Sequence, residues 1–519
     1  MKSLARYVAR AVLLTLVAAG SLVASVRAAE LSKPSIVYIL ADDLGYGDVG
    51  CYNPASKIAT PNIDRLAAEG RRFTDAHSPS AVCTPTRYGL LTGRYAWRTR
   101  LQRNVLGPFS QPLIADSQLT VAELLREQGY ITACIGKWHL GWGWPQPGDG
   151  GQRDFSSPIP DGPTTRGFDL YFGTDVPNYP PYCFLKNDRT LGIPSAAAPV
   201  GRDAFNIAGP MLPGWRLVDV LPELERRAVQ YIEAAAQGGK PFFLFLPLTS
   251  PHYPVVPSPA FQGQSQAGEY GDFVMQTDHV VGQVLSALQS SGVAKNTLVF
   301  FTSDNGAEVA GEVNPGAYAR LKKFGHASMG SLRGVKRDAW EGGHRVPFIV
   351  RWPEKIQAAS TCDETVCHVD LLATLAALLD VRLPADAGVD SVNILPAMFG
   401  DQREAPLREA TVHHSAQGKF AIRRGDWVLI FAPTGDDNRK QGEPAWFQED
   451  RGYEPHSAAG ELYNLSTDPM QKNNRYDAET AQVQQLATLM ERYVTDGRST
   501  PGPKQMNDVN IIWDNRAGN

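Results

Sequence analysis

Cys83-Thr84-Pro85-Thr86-Arg87 puts a thiol, a helix-starting proline and a guanidinium within about one helical turn, and Tyr88-Gly89-Leu90-Leu91-Thr92-Gly93-Arg94 follows directly. Pro85 and Gly93 carry the start and stop signals of a short helix, with Cys83 just ahead of it. A group at a helix N-terminus sits among free backbone N–H donors at the positive end of the dipole. That position suits a nucleophile whose target is an anion, and Arg87, one turn on, reaches back to the same point. The plain alternative for Cys83 is a buried thiol, since free cysteine is among the most buried residue types.

Two further pairs, Asp42-Asp43 and Asp304-Asn305, offer carboxylate and amide oxygens, a hard set that suits calcium or magnesium rather than a soft metal. Four such side chains completed by a substrate oxygen fit the looser shell of calcium best. Either pair alone could cap a turn; two of them at strand ends in one sheet favour a metal. Cations and imidazoles lie in Gly136-Lys137-Trp138-His139-Leu140-Gly141 and Ser250-Pro251-His252-Tyr253-Pro254. More lie in Leu332-Arg333-Gly334-Val335-Lys336, which runs on to Trp340-Glu341-Gly342-Gly343-His344-Arg345-Val346-Pro347. Taken singly, Lys137 or Lys336 reads as a solvated charge, and His139 or His252 as a satisfied polar group.

The elements that must position these groups are legible. Strands are predicted at Ser35 to Ala41, Tyr130 to Ile135, Pro241 to Leu246, Thr297 to Thr302 and Pro347 to Trp352. Helices alternate with them, one opened by Thr60-Pro61 and closed by Gly70, another opened by Thr120 and closed by Gly129. The polar residues fall just past the strand ends: Asp42 and Asp43 after the first, Lys137 and His139 after the second, His252 after the third, Asp304 and Asn305 after the fourth. In open α/β sheets the ligand crevice lies along that edge, so one shared site is expected. Gly141 to Pro163 and Tyr179 to Pro213 read as long excursions over it. Beyond about Gly400 the pattern changes to a hairpin from Ala421 to Phe431 around Arg424-Gly425-Asp426, a strand from Glu461 to Leu465 and an amphipathic helix from Glu479 to Tyr493. A smaller α+β domain, residues 401–519, is therefore expected to pack on a catalytic α/β domain of residues 30–400.

With 43% hydrophobic and 20% charged residues and a net charge of -4, the 519-residue chain is globular, with no sign of a nucleic-acid binder, coiled coil or disordered tail. Lys2, Arg6 and Arg10 precede an apolar run from Ala11 to Val26 and the small residues Ala28 and Ala29, the layout of a signal peptide over residues 1–29. Export to the periplasm or the medium is expected, with no stable membrane span after cleavage. Six cysteines make no disulfide scaffold, and no Cys/His spacing suggests zinc; Cys362 and Cys367 could pair or stay as thiols.

The Cys83–Arg87 and Leu90–Arg94 segments together resemble the signature of the type I sulfatases, in which the cysteine is oxidised to formylglycine by a maturation enzyme. Gly136–Gly141 is similar to that family's GKWHLG element, Ser250-Pro251-His252 to its SPH element, and Leu332–Lys336 with Trp340–Pro347 to its LRGGK...WEGGxRVP segment. The likeness runs from Lys33 to about Gly400 and resumes at Ala421–Trp427 and Glu461–Leu465. Thr86 replaces the usual serine and Val335 a glycine; Thr86 keeps a hydroxyl, so it bears on the efficiency of cysteine maturation.

The resemblance implies an alkaline-phosphatase-like mixed sheet flanked by helices and one calcium, or magnesium, held by Asp42, Asp43, Asp304, Asn305 and the formylglycine from Cys83. It implies a hydrated aldehyde at position 83 whose hydroxyl attacks sulfur, with Arg87, Lys137 and Lys336 balancing charge. His252, helped by Lys336, would protonate the departing alcohol, and His139 would deprotonate the second hydroxyl to release sulfate. Tyr88, Arg98, Arg100, the Asn178 to Asn187 loop, Arg337, Asp338 and His344 are the candidates for binding the alcohol. Their mixture of aromatic and cationic groups suits a sulfated carbohydrate. The competing readings are an arylsulfatase acting on small aryl sulfates, a phosphodiesterase or phosphonate hydrolase of the same superfamily, and a sulfated-glycan binder whose Cys83 is never oxidised.

Overall fold

The computed structural model describes residues 33–145, 153–199, 207–309 and 315–516. The expected signal peptide and parts of both long excursions lie outside the described residues. Among those described, no helix is long and apolar enough to cross a membrane.

Five strands carry the architecture: β1 (Ser35–Ala41), β2 (Ile131–Lys137), β3 (Phe242–Pro247), β4 (Thr297–Ser303) and β5 (Phe348–Arg351). They form the centre of a ten-stranded mixed sheet in the order β5-β4-β1-β3-β2. β1, β2, β3 and β4 run parallel, with Val37 opposite Leu244 on one side and Val299 on the other. β5 departs from the doubly wound pattern by running antiparallel to β4, Phe300 facing Val350. Its chain comes directly from the short helical turn Glu341–His344 and so re-enters the sheet from the crevice edge.

β1 is buried along its whole length because both faces are covered. Ile36, Tyr38 and Leu40 pack with Leu90, Leu91, Val121 and Leu372 on one face. Val37, Ile39 and Ala41 pack on the other with α2 (Val220–Gln237) and α3 (Gly268–Ser290), through Leu224, Ile232, Val281 and Val284. α1 (Cys83–Thr92) starts two residues earlier than Pro85 suggests. Val82 stays extended at φ -147° as its N-cap, so Pro85 falls in the first turn, where a missing N–H costs nothing. Gly93 ends the helix at φ 64°, where Ser391 and Gly388 crowd any added Cβ.

The described parts of the excursions are largely packed structure, and only Tyr179, at the start of the second, stands at the crevice, against His139. Trp142 and Trp144 are buried against Tyr171, Phe155 and Phe109, and Leu185–Lys186 and Arg189–Thr190 extend the sheet edge as a hairpin. The C-terminal region forms a four-stranded antiparallel sheet, Thr411–His414, Phe420–Arg424, Trp427–Ile430 and Glu461–Asn464, covered by the helix Thr480–Thr495. Leu486 and Met490 of that helix share a core with Ile422 and Leu429, and with Tyr95 and Trp97 just beyond α1. All six cysteines are free, so Cys362 and Cys367 are thiols.

Candidate active site

The C-terminal ends of the parallel strands bring the carboxylates together. Asp42 and Asp43 leave β1, with the Asp42 N–H on the Ser250 carbonyl (3.0 Å) and Asp43 in the left-handed region at φ 64°. Asp304 and Asn305 leave β4; Asp304 Oδ1 accepts the Asp43 N–H at 3.1 Å, and Asn305 Nδ2 donates to Asp43 Oδ1 at 2.8 Å. Three cations answer the three carboxylates. Lys137 Nζ lies 2.7 Å from Asp42 Oδ2 and Lys336 Nζ 2.6 Å from Asp43 Oδ2, while Arg87 donates twice to Asp304 Oδ2, at 2.8 and 3.2 Å. Burial opposes charge on Asp42, yet Lys137, Arg87 and Lys336 outweigh it and hold its carboxyl below the usual range. Burial likewise works against the Lys137 and Lys336 ammoniums, and Asp42 and Asp43 more than restore them.

Cys83 occupies the first position of α1 and is 2% exposed, its Sγ 3.5 Å from Asp42 Oδ1. Burial and the Asp304 charge push the thiol up, so as a plain cysteine it is no thiolate nucleophile. Thr86 turns its hydroxyl to the Ser80 carbonyl at 3.1 Å, inside the same buried turn. Asp42, Asp43, Cys83 and His252 offer ligand atoms within 4.8 Å of one another. Asn305 Oδ1 is buried with no hydrogen-bond partner among the described residues. A buried amide oxygen of that kind calls for a cation or water, so this oxygen-rich set fits a hard divalent ion.

The two imidazoles are held in opposite ways. His139 sits at φ 55°, its N–H shared by the Asp175 carbonyl and Oδ1, both at 3.1 Å. Its Nε2 donates to the Leu106 carbonyl at 3.0 Å, which leaves Nδ1 buried, without a partner among the described residues and carrying a lone pair. Burial, with Lys137 and Arg87 nearby, keeps this ring well below the ordinary histidine range and therefore neutral. His252 donates from Nδ1 to the Tyr253 carbonyl (2.5 Å), and its Nε2 lies 3.7 Å from Asp43 Oδ2. Burial pushes it down to about 3 despite Asp43, with Lys137 and Lys336 adding to the effect.

The candidates for binding the alcohol divide. Arg337 lies at the cluster's margin, bidentate on Glu308 (2.5 and 2.7 Å), whose carboxylate also meets Lys336 at 3.3 Å. Asn178 is buried beside Tyr179, whose ring stands edge-on to His139 at 5.6 Å. The other five face elsewhere. Tyr88 is buried against Arg94 (3.3 Å), and Arg98 is fully buried and bidentate on Asp390 at 2.8 and 2.9 Å. Arg100 is exposed and bonded to the Gln111 carbonyl. His344 is buried 3.0 Å from His77 Nδ1 and stacked on His413 at 3.9 Å. Asp338 accepts from the Val335 and Asp437 amides and so braces a loop.

His77, His344 and His413 form a histidine cluster that no sequence spacing announces. Two of its rings stack in parallel and His77 also bonds Asp75 at 2.9 Å, the arrangement of a hydrogen-bonded junction. Sequence reasoning also missed Asp175 and Glu308. Each has a faint signal: Asp175 follows the strand Leu170–Thr174, and Glu308 stands four residues past Asp304.

A family model described as Sulfatase matches residues 34–381. The chain belongs to the sulfatase family. It is 34% identical over 501 residues to an N-acetylgalactosamine-6-O-sulfatase of Bacteroides thetaiotaomicron, covering 89% of this chain and 93% of the relative. Human arylsulfatase A is also 34% identical, over 85% of this chain and 83% of its own. A solved Bacteroides thetaiotaomicron structure, from work on the metabolism of multiple glycosaminoglycans, superposes with a TM-score of 0.76 at 33% identity, covering 89% and 99% of the two chains. This sulfatase is a sulfuric ester hydrolase, and Lys137 and Lys336 enter the cluster as its ammonium charges.

Proposed function

We propose that this sulfatase hydrolyses a sulfate ester of a carbohydrate, with a formylglycine made from Cys83 and one calcium, or magnesium, held by Asp42, Asp43, Asp304 and Asn305. The observation that carries the reading is Cys83 Sγ at the start of a buried helix, 3.5 Å from a carboxylate that Lys137 also holds. The likeness to a relative named for N-acetylgalactosamine 6-O-sulfate supports a sugar substrate. Such a cation supplies Lewis-acid charge to a sulfate oxygen and to the attacking hydroxyl. The hydrated formylglycine supplies that hydroxyl and a second one, whose deprotonation frees the sulfate.

The remaining work falls to the side chains. Arg87 is fixed by Asp304 and by the Lys137 carbonyl (2.9 Å), so its fork cannot swing away as negative charge builds. Lys137 and Lys336 stay protonated and grip the sulfate oxygens. His139 takes the proton from the second hydroxyl at Nδ1, the nitrogen its Leu106 bond leaves free. Lys336, which stays protonated, donates to the leaving alcohol, a general-acid contribution of about 100- to 10,000-fold, and His252 joins it only when its Nε2 has taken up a proton. The chain is read as exported, periplasmic or secreted, and as a substrate of a formylglycine-generating enzyme in the cell.

Arylsulfatase A is as similar in identity, so small aryl sulfates are the second reading. Rates of the matured enzyme on sulfated galactose, N-acetylgalactosamine and glucosamine, against aryl sulfate, aryl phosphate monoester and phosphate diester, decide between these readings. Efficient turnover of aryl sulfate with every sugar inert removes the carbohydrate assignment. A clear preference for a phosphate ester removes the proposed sulfate-ester reaction itself.

A further inference from the structure

We propose that the hollow lined by Arg100, Gln102, Arg103, Gly418, Phe420 and Ile512 is an outer glycan subsite. It binds an anionic group, carboxylate or sulfate, on a sugar adjoining the one that is desulfated. The proposal rests on the carbohydrate reading above and extends it to a polymeric or oligomeric substrate.

The hollow has a volume of about 290 Å³ and two arginines on its wall. Arg94 and Arg98, just upstream, are tied to Asp508 and Asp390. Among the described residues no carboxylate pairs with Arg100 or Arg103, and Arg100 finds only the Gln111 carbonyl, at 2.7 Å. Two neighbouring unpaired cations repel each other until an anion joins them, and a planar guanidinium fork matches carboxylate and sulfate oxygens. The floor is apolar: Phe420 is buried beneath the surface and Ile512 is 54% exposed at the rim, a face for the C–H side of a sugar ring. Gly418 makes the depth possible. At φ 84° it turns without a side chain, and an added Cβ would lie 3.2 Å from the Arg103 Cγ.

The hollow is wired to the reaction centre by short backbone links. Leu106 gives its carbonyl to His139 Nε2 at 3.0 Å and its N–H to Thr84 Oγ1 at 3.2 Å, in the first turn of α1. Arg103 is three residues away, at most about 10 Å of extended chain. Between them Asn104, at φ 58°, donates its N–H to the Ala416 carbonyl (2.5 Å), and the Ala416 N–H in turn bonds the Arg337 carbonyl (3.0 Å). One rim of the hollow is therefore fixed relative to His139 and the other relative to Arg337. A glycan with one sulfate at Cys83 has its next residue led toward Arg103.

The test uses the full-length matured enzyme and R100A/R103A, first checked for an unchanged melting temperature. For a 6-sulfated N-acetylgalactosamine monosaccharide and a uronate-containing tetrasaccharide bearing the same terminal sulfate, the ratio of kcat/KM, tetrasaccharide to monosaccharide, falls by about tenfold or more in the variant, through KM. A ratio that does not move overturns the subsite. Calorimetry separates this failure from a failure of the carbohydrate reading, because it needs no turnover. A hyaluronan tetrasaccharide offers carboxylates without sulfate, and a keratan sulfate tetrasaccharide, on the Cys83→Ala protein, offers sulfates without carboxylate. Loss of about tenfold in affinity for either probe in R100A/R103A supports the subsite and names its anion; equal affinities for both proteins with both probes overturn it.

Discussion

Cys83 Sγ lies 3.5 Å from Asp42 Oδ1, on the carboxylate whose other oxygen takes the Lys137 ammonium at 2.7 Å. In the proposed function this one contact joins the precursor of the nucleophile, a metal-binding carboxylate and a sulfate-binding cation. Without the Cys83 side chain no formylglycine can form, and the loss of one buried sulfur atom costs the fold only about 1 kcal/mol. Cys83→Ala is expected to lose turnover entirely while unfolding at nearly the wild-type temperature. Peptide mass spectrometry of the wild-type segment should show an aldehyde at position 83, oxygen in place of sulfur with two hydrogens fewer; a protein fully active as the unmodified thiol contradicts the nucleophile assignment.

Asn305 Oδ1 is buried without a partner among the described residues, and the amide nitrogen beside it is held by the Asp43 carboxylate. EGTA treatment is expected to abolish activity, and calcium or magnesium to restore it better than zinc. Asn305→Ala should weaken calcium binding, measured by calorimetry, by at least about tenfold. Rescue by zinc alone would count against an oxygen-ligated centre.

Arg98, with its two bonds to Asp390 at 2.8 and 2.9 Å, also reaches the Tyr493 carbonyl at 3.0 Å. It clamps the segment after α1 to the C-terminal helix in a fully buried ion pair. Arg98→Ala strands Asp390 without its partner and is expected to cost about 3–5 kcal/mol in denaturant titrations. Full stability with a changed KM would return Arg98 to the substrate side.

His414 is buried on the strand Thr411–His414, and its carbonyl accepts from Ser80 Oγ and the Ala81 N–H just ahead of Cys83. Burial moves its imidazole from 6.5 down to about 4, so the fold keeps the ring neutral while the unfolded chain protonates. Stability is thus complete above pH 6.5 and lost as the pH falls from there through about 4, by about 3 kcal/mol from this group. His368, pushed down to about 3, acts in the same sense. His414→Phe should flatten the fall of the melting temperature across this range; an unaltered slope excludes His414 as a source of acid sensitivity.

Local chemistry made much of the centre legible before any coordinates. β1 was readable to the residue, Ser35 to Ala41, because a fully covered strand must be continuously apolar, and the polar residues after β1, β2, β3 and β4 then had one edge at which to meet. Cys83, Arg87 and the GKWHLG-like element are short contiguous runs whose spacing survives folding unchanged. What lies between elements was not readable. The antiparallel course of β5 depends on where the Glu341–His344 turn leaves the chain, and the tryptophans of Gly141 to Pro163 are core because other aromatics wait for them. Arg98 and His344 look like substrate groups by residue type; only their distant partners Asp390 and His77 decide otherwise. The sequence by itself determined which groups stand at the strand ends, since hydrophobic period and turn chemistry are local. Only the tertiary structure decided which charge answers which, Asp42 with Lys137, Asp43 with Lys336 and Asp304 with Arg87, because pairing is a matter of distance between residues some 95, 293 and 217 positions apart.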